Sequence, residues 1–170
     1  MKKELTEVYC GRAKGKTTLA LGQSLRAAAE GKSVIIIQFL KGKERRSMDF
    51  LEELDQMDIK IFRFEKQDCC YDELSEEEKA EERCNILNGL NFARKVVVTQ
   101  ECDLLVLDEL LGLLEQGIVS LDAVKDILAQ KDETMHIIMT GWTLPEGLKP
   151  YIDSVTCLTT EVINETDTEE

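Results

Sequence analysis

Apolar residues in this chain cluster in short runs separated by longer stretches of helical periodicity. SVIIIQFL (33–40), CDLLVLDEL (102–110) and TMHIIMTG (134–141) are nearly continuous, as strands buried on both faces are. EVYCG (7–11) reads as a short strand, DIKIFRF (58–64) alternates as another, and SVTCLTTEV (154–162) supplies a last one. Between them the period changes. From Lys16, TTLALGQSLRAAAEG places apolar residues three and four apart and stops at Gly31. KGKERRSMDFLEELDQM is a polar loop passing into an amphipathic helix. A helix over Ser75 to Thr99 opens on a capping box of Ser75 and Glu78, and SLDAVKDILAQK (120–131) is a helix with Ser120 as N-cap. Strands alternating with helices require right-handed crossovers, so the expected fold is α/β, three-layered, with a mostly parallel central sheet.

In such a sheet ligands bind beyond the carboxyl ends of the strands. Three signals fall there. CGRAKGKTT (10–18) joins the first strand to the first helix. It departs from G-x-x-x-x-G-K-[ST], because Cys10 holds the position of the first glycine and Gly11 follows it. Backbone amides and the positive helix end suit an anion; Lys16 adds a point charge and Thr17 a hydroxyl for magnesium. Arg12 and Lys14 add two cations that a minimal loop does not require. LLVLDE ends a buried strand in Asp108 and Glu109, the acids that hold magnesium or its water shell in P-loop sites. TGW (140–142) ends the next buried strand. GKTT alone is common and LDE is often a mere strand terminus; together, in this order, they mark a nucleotide site of the P-loop NTPase, RecA-like kind. His136, alone in an apolar strand, reads as a packed core residue. Trp142 reads equally well as a pocket wall or as core.

Composition narrows the partners. A formal charge of −13 with no long basic stretch excludes nucleic acid as a general partner. No apolar run approaches the roughly 20 residues of a membrane span, and MKKELTEVYC has no secretory h-region, so no membrane is expected and the expected location is cytoplasmic. The six cysteines form no paired C-x-x-C knuckles, and with one His a zinc site is poorly supplied; free thiols are expected. Without internal repeats or linkers, residues 1–163 read as one P-loop nucleotide-binding domain and 164–170 as an acidic, disordered tail.

Gly11-Arg12-Ala13-Lys14-Gly15-Lys16-Thr17-Thr18 resembles the loop G-N-G-K-G-K-T-T of the P-loop ATP:corrinoid adenosyltransferases, which also lacks the first standard glycine. VIIIQFLKG (34–42) and DLLVLDEL (103–110) are similar to further motifs of that family, and the likeness extends to about Val162. The resemblance implies transfer of the 5′-deoxyadenosyl group of ATP to a Co(I) corrinoid, with triphosphate released whole. It implies ATP as co-substrate, Mg²⁺, a corrinoid substrate, a reducing flavoprotein partner and a homodimer. By this resemblance Gly11 to Thr18 cradle the triphosphate, Lys14, Lys16 and Glu109 act in catalysis, and Thr17, Asp108 and Glu109 serve the metal. The chain departs from the family at Arg12 (asparagine there), Ala13 (glycine) and Trp142 (arginine). The family's aromatic F-T-W segment has no clean counterpart, Phe64 and Tyr71 being the nearest aromatics. A P-loop hydrolase or kinase, or a nucleotide-binding regulator without turnover, are the alternative readings.

Overall fold

The computed structural model describes residues 5–39, 57–64 and 71–163. The apolar runs become strands β1 (Thr6–Cys10), β2 (Val34–Gln38), β3 (Ile59–Arg63), β4 (Leu104–Asp108), β5 (His136–Thr140) and β6 (Ser154–Cys157). They form one sheet in the order β3-β2-β4-β5-β1-β6, and every pairing is parallel. Every residue of β2 and β4 is buried, as their continuous apolar runs require.

Helices α1 (Lys16–Ala29), α2 (Glu76–Thr99), α3 (Leu110–Glu115) and α4 (Leu121–Ala129) make the outer layers. Strand residues alternate between the two faces. Val34, Ile36, Val106 and Ile138 pack with Ala20 and Ala27 of α1. Ile35, Ile37, Leu105, Leu107, Ile137 and Met139 pack on the opposite face with Ile86, Leu90 and Ala93 of α2, Leu111 of α3 and Ile127 of α4. The three-layer α/β architecture is the one the sequence predicts. Among the described residues no helix is long and apolar enough to cross a membrane.

The helix starts follow local chemistry. At α2, Ser75 Oγ accepts from Glu78 N at 3.3 Å while Ser75 N donates to Glu78 Oε2 at 2.8 Å, the full capping box. That backbone hydrogen bond holds the Glu78 carboxyl below the usual carboxylate range. At α4, Ser120 Oγ accepts from Ala123 N at 3.2 Å.

Two expectations need correction, and one element was not anticipated. The last strand ends at Cys157, not Val162, because β6 is an edge strand that pairs with β1 alone. The strand expected over 102–110 stops at Asp108: Glu109 takes φ +66°, and Leu110 already opens α3. A 3-10 helix over Glu146–Tyr151, with Pro150 inside it, follows no periodicity in the sequence. The amphipathic helix expected after Lys41, Cys69 and Cys70, and the tail 164–170 lie outside the described residues.

Where α2 crosses the sheet, Gly89 admits two aromatic rings. A Cβ there would sit 2.6 Å from Phe64 Cγ and 2.7 Å from Phe39 Cε1. Phe64 stacks on Phe39 at 6.4 Å between centroids, and Phe62 packs against Phe92 at 4.6 Å. Gly→Ala within a helix ordinarily gains about 1 kcal/mol, but overpacking of this kind costs about 1–3 kcal/mol. Gly89→Ala is therefore expected to lower the urea midpoint at unchanged m-value; a raised midpoint would show that the rings make room.

Candidate nucleotide-binding site

β1 delivers a buried Cys10 to the carboxyl end of the sheet, and the chain turns at once. Gly11 makes the turn at φ +109°, and a Cβ there would lie 2.2 Å from the carbonyl oxygen of Leu158. Its N–H donates to the carbonyl of Trp142 at 2.8 Å, while Leu158 N donates to the carbonyl of Cys10, also at 2.8 Å. The loop root is thus clamped between the chain leaving β5 and the chain leaving β6. Only glycine fits it. The glycine therefore belongs one residue after the usual motif position, since Cys10 is still strand.

The loop closes at Gly15, φ +104°, which caps α1 without any side-chain bond. Lys16, 8% exposed, folds back across it: Nζ donates to the carbonyls of Gly11 at 2.7 Å and Ala13 at 2.8 Å. Two of the three ammonium donors are so used, which leaves the third for an anion. Among the described non-glycine residues only Gln100 and Glu109 have positive φ, so Ala13 sits in ordinary backbone space. The glycine that the resembling loops carry there is not needed for this turn. The first turn of α1 holds no acid, in contrast to α2 with Glu76, Glu77 and Glu78. Its positive end is left available to a bound anion.

Beside the loop, polar residues replace the apolar ones at the carboxyl ends of four strands. Register pairs Gln38 with Arg63 of β3 and with Asp108 of β4, and Thr140 of β5 completes the row. Asp108 has no exposed surface. Its Oδ1 accepts from Thr140 Oγ1 at 2.6 Å and from Thr17 Oγ1 at 3.0 Å, and its Oδ2 accepts from Gln38 Nε2 at 3.1 Å. Arg63 Nε in turn donates to Gln38 Oε1 at 3.3 Å. Thr140 Oγ1 also accepts from Glu109 N at 2.8 Å, which steadies the left-handed backbone of Glu109. The Glu109 carboxylate lies over α3, with Oε1 3.0 Å from where a Cβ on Gly112 would be.

Of the residues singled out in the sequence, Lys16 bonds to Gly11 and Ala13 across the loop, Thr17 bonds to Asp108 beside it, and Gly15 joins the loop to α1. Arg12, Lys14 and Thr18 are exposed at the loop's rim. Trp142 is 56% exposed rather than core, and its carbonyl holds Gly11. His136 is not enclosed in the core: Nε2 lies 2.9 Å from Glu7 Oε2 at the opposite end of the sheet. Phe64 and Tyr71 pack on the core formed with α2. Arg63 lies in no sequence motif, whereas Gln38 falls within VIIIQFLKG and Thr140 within TGW, neither of which gives it a bonding role. The available signal was a polar residue ending each strand that is otherwise apolar.

The family model described as ATP:corrinoid adenosyltransferase BtuR/CobO/CobP matches residues 2–163. The chain belongs to this family. The corrinoid adenosyltransferase of Pseudomonas aeruginosa is 30% identical over 155 residues, covering 88% of this chain and 71% of that protein. The corrinoid adenosyltransferase of Escherichia coli K12 is 26% identical, and the corrinoid adenosyltransferase CobA of Salmonella typhimurium 27%, each over 87% of this chain and 72% of its own length. Among solved structures, C. elegans PCH-2 aligns with 93% of this chain and 36% of its own at TM-score 0.43 and 16% identity, too loose a likeness to bear on function.

Thr140 joins the two acids that follow one another in this family member. Thr140→Val removes the donor to buried Asp108 and the acceptor for Glu109 N. Losing a hydrogen bond to a buried or charged group costs about 1–3 kcal/mol. A lower urea midpoint and weaker MgATP binding are expected for Thr140→Val, with both restored in Thr140→Ser. Equal behaviour of the two variants would remove the hydroxyl from the site's architecture.

Proposed function

We propose that this chain transfers the 5′-deoxyadenosyl group of ATP to the cobalt of a Co(I) corrinoid and releases triphosphate. The observation that carries the reading is the Thr17–Asp108 pair beneath a shifted-glycine loop, within a chain matched to the family over residues 2–163. In this reaction a cobalt–carbon bond forms with the electron pair of Co(I), the bond from C5′ to oxygen breaks, and the pair leaves with the triphosphate. No proton moves in the step, so a water-activating base is not required. What the protein must supply is charge for the leaving group.

The residues at the loop meet that need. The amides opening α1, the remaining donor of Lys16 and the exposed ammonium of Lys14 would take phosphate oxygens, with Arg12 at the rim. Gly11, Ala13, Gly15 and Thr18 contribute backbone or a hydroxyl to the same cradle. Thr17 and Asp108 present hard oxygen donors, with Glu109 adjacent, a set suited to Mg²⁺ rather than to a soft metal. Among the described residues no group of three or more His, Cys, Asp or Glu is placed to hold a metal by itself. Phosphate oxygens and water would therefore complete the shell. Magnesium, when bound, adds positive charge where the triphosphate departs. We further take the working protein to be a homodimer supplied with electrons by a flavoprotein, as the family resemblance implies, and to reside in the cytoplasm.

The test is anaerobic and uses purified protein, MgATP and chemically reduced cobalamin or cobinamide. Loss of the Co(I) absorbance with stoichiometric triphosphate is expected. ADP with phosphate, or no adenosylated corrinoid despite measured ATP binding, would overturn the assignment. Lys16→Ala should lower kcat/KM on the order of 100-fold or more, the scale of losing one charge-stabilising donor. Unchanged kinetics would remove the loop from the mechanism.

A further inference from the structure

β1 and β6 pair in parallel register, so that Cys10 and Cys157 stand side by side on one face of the sheet. Their sulfurs are 3.3 Å apart, and both are free thiols. Cys10 is buried at 5% exposure, whereas Cys157 is exposed on the edge strand. A reagent from solution therefore meets Cys157 first. Closing a disulfide brings the sulfurs to about 2.0 Å, a shift of roughly 1.3 Å. β1 is held on both sides, by β5 and by β6, while the four-residue β6 is held on one side only. What the side chains do not take up falls more readily on β6 than on β1.

The residue after Cys157 is the one pressed against the loop. Leu158 bonds through N to the carbonyl of Cys10, and its own carbonyl oxygen fills the space a Cβ on Gly11 would need. Its Cδ2 lies 3.7 Å from where a Cβ on Gly15 would be. Gly11 and Gly15 are the two positive-φ residues that shape the loop. The contact at Gly11 has no slack, so a displaced Cys157–Leu158 segment is transmitted into the turn.

We propose that Cys10 and Cys157 form a reversible thiol–disulfide site whose oxidised form binds nucleotide less well. The oxidant is a low-molecular-weight disulfide of the glutathione type. The Cys157 thiolate attacks it, forming a mixed disulfide and releasing one small thiol. The Cys10 thiolate then displaces the second small thiol and closes the protein disulfide. Two protein thiols lose two electrons and two protons, and the small disulfide gains them as two thiols. Burial, then the hydrogen bond to Cys157, pushes the Cys10 thiol up to about 11. The effect on affinity rests on the loop being the nucleotide site; formation of the disulfide does not.

The experiment equilibrates the full chain with glutathione and glutathione disulfide at a reducing and at an oxidising ratio. Remaining thiols are alkylated, the linked peptides are identified by mass spectrometry, and MgATP is titrated calorimetrically. Cys10 linked to Cys157 is expected in the oxidised sample, with a Kd at least tenfold higher that dithiothreitol restores. Cys157→Ser, and separately Cys10→Ala, should bind MgATP as the reduced wild type does and keep that affinity under oxidation. These variants retain every other cysteine, so oxidation elsewhere is controlled. Absence of the Cys10–Cys157 link, a linked protein with Kd within twofold of the reduced form, or a Cys157→Ser variant as sensitive as wild type would each overturn the proposal. Failure of the reduced protein to bind MgATP would instead sink the nucleotide-site reading, because the mapped disulfide is scored independently.

Discussion

A carboxylate with no exposed surface sets the terms for the centre of this molecule. Asp108 ends β4, where protein donors surround its carboxylate. Burying such a charge costs several kcal/mol unless donors meet it. The donors come from three different elements: Thr17 from α1, Gln38 from β2 and Thr140 from β5. Each has to arrive at the right height. The β2–β4 register, the placement of β5 and the start of α1 are therefore fixed by one side chain as well as by apolar packing. The apolar faces of the sheet would tolerate a range of helix positions; the Asp108 network does not.

The same network makes the binding loop a consequence of the fold. Lys16 and Thr17 are the first residues of α1, so anchoring Thr17 to β4 anchors the end of the loop. Its beginning is anchored at Gly11, between the carbonyls of Trp142 and Leu158. Lys16 then ties the middle by gripping the carbonyls of Gly11 and Ala13. A loop fixed at both ends and across its span is already ordered before any anion arrives. Less ordering entropy is then lost on binding.

How much of this can be read from residues depends on whether a signal is local. The buried strands are legible because continuous apolar runs have few other interpretations, and the α2 capping box is legible because its two partners lie three residues apart. Short α3 is hidden inside an apolar run, since only the left-handed turn at Glu109 separates it from β4. The end of β6 depends on having one neighbour instead of two, which no local pattern encodes. Gln38 and Thr140 illustrate the middle case. Each is visible as a polar end to an apolar strand, but their convergence on Asp108 needs the sheet order. Trp142 and His136 were legible as unusual residues and not as to place, because exposure at a strand end depends on what covers it.

The substitutions that distinguish the loop from its resembling relatives act on side chains where the loop's architecture uses backbone. Ala13 offers Lys16 a carbonyl, which any residue would offer, and its φ is not positive, so the lost glycine is not missed. Trp142 likewise holds Gly11 through its carbonyl; an arginine there could make the same bond. Arg12 is exposed and adds charge without entering the turn. Gly11 and Gly15, where conformation does demand glycine, are both retained. The backbone that shapes the loop is thus preserved while the rim is altered: one cation at residue 12 replaces an amide, and an exposed indole at 142 replaces a cation. These changes leave the loop's backbone bonds in place and alter the charge and shape exposed around it.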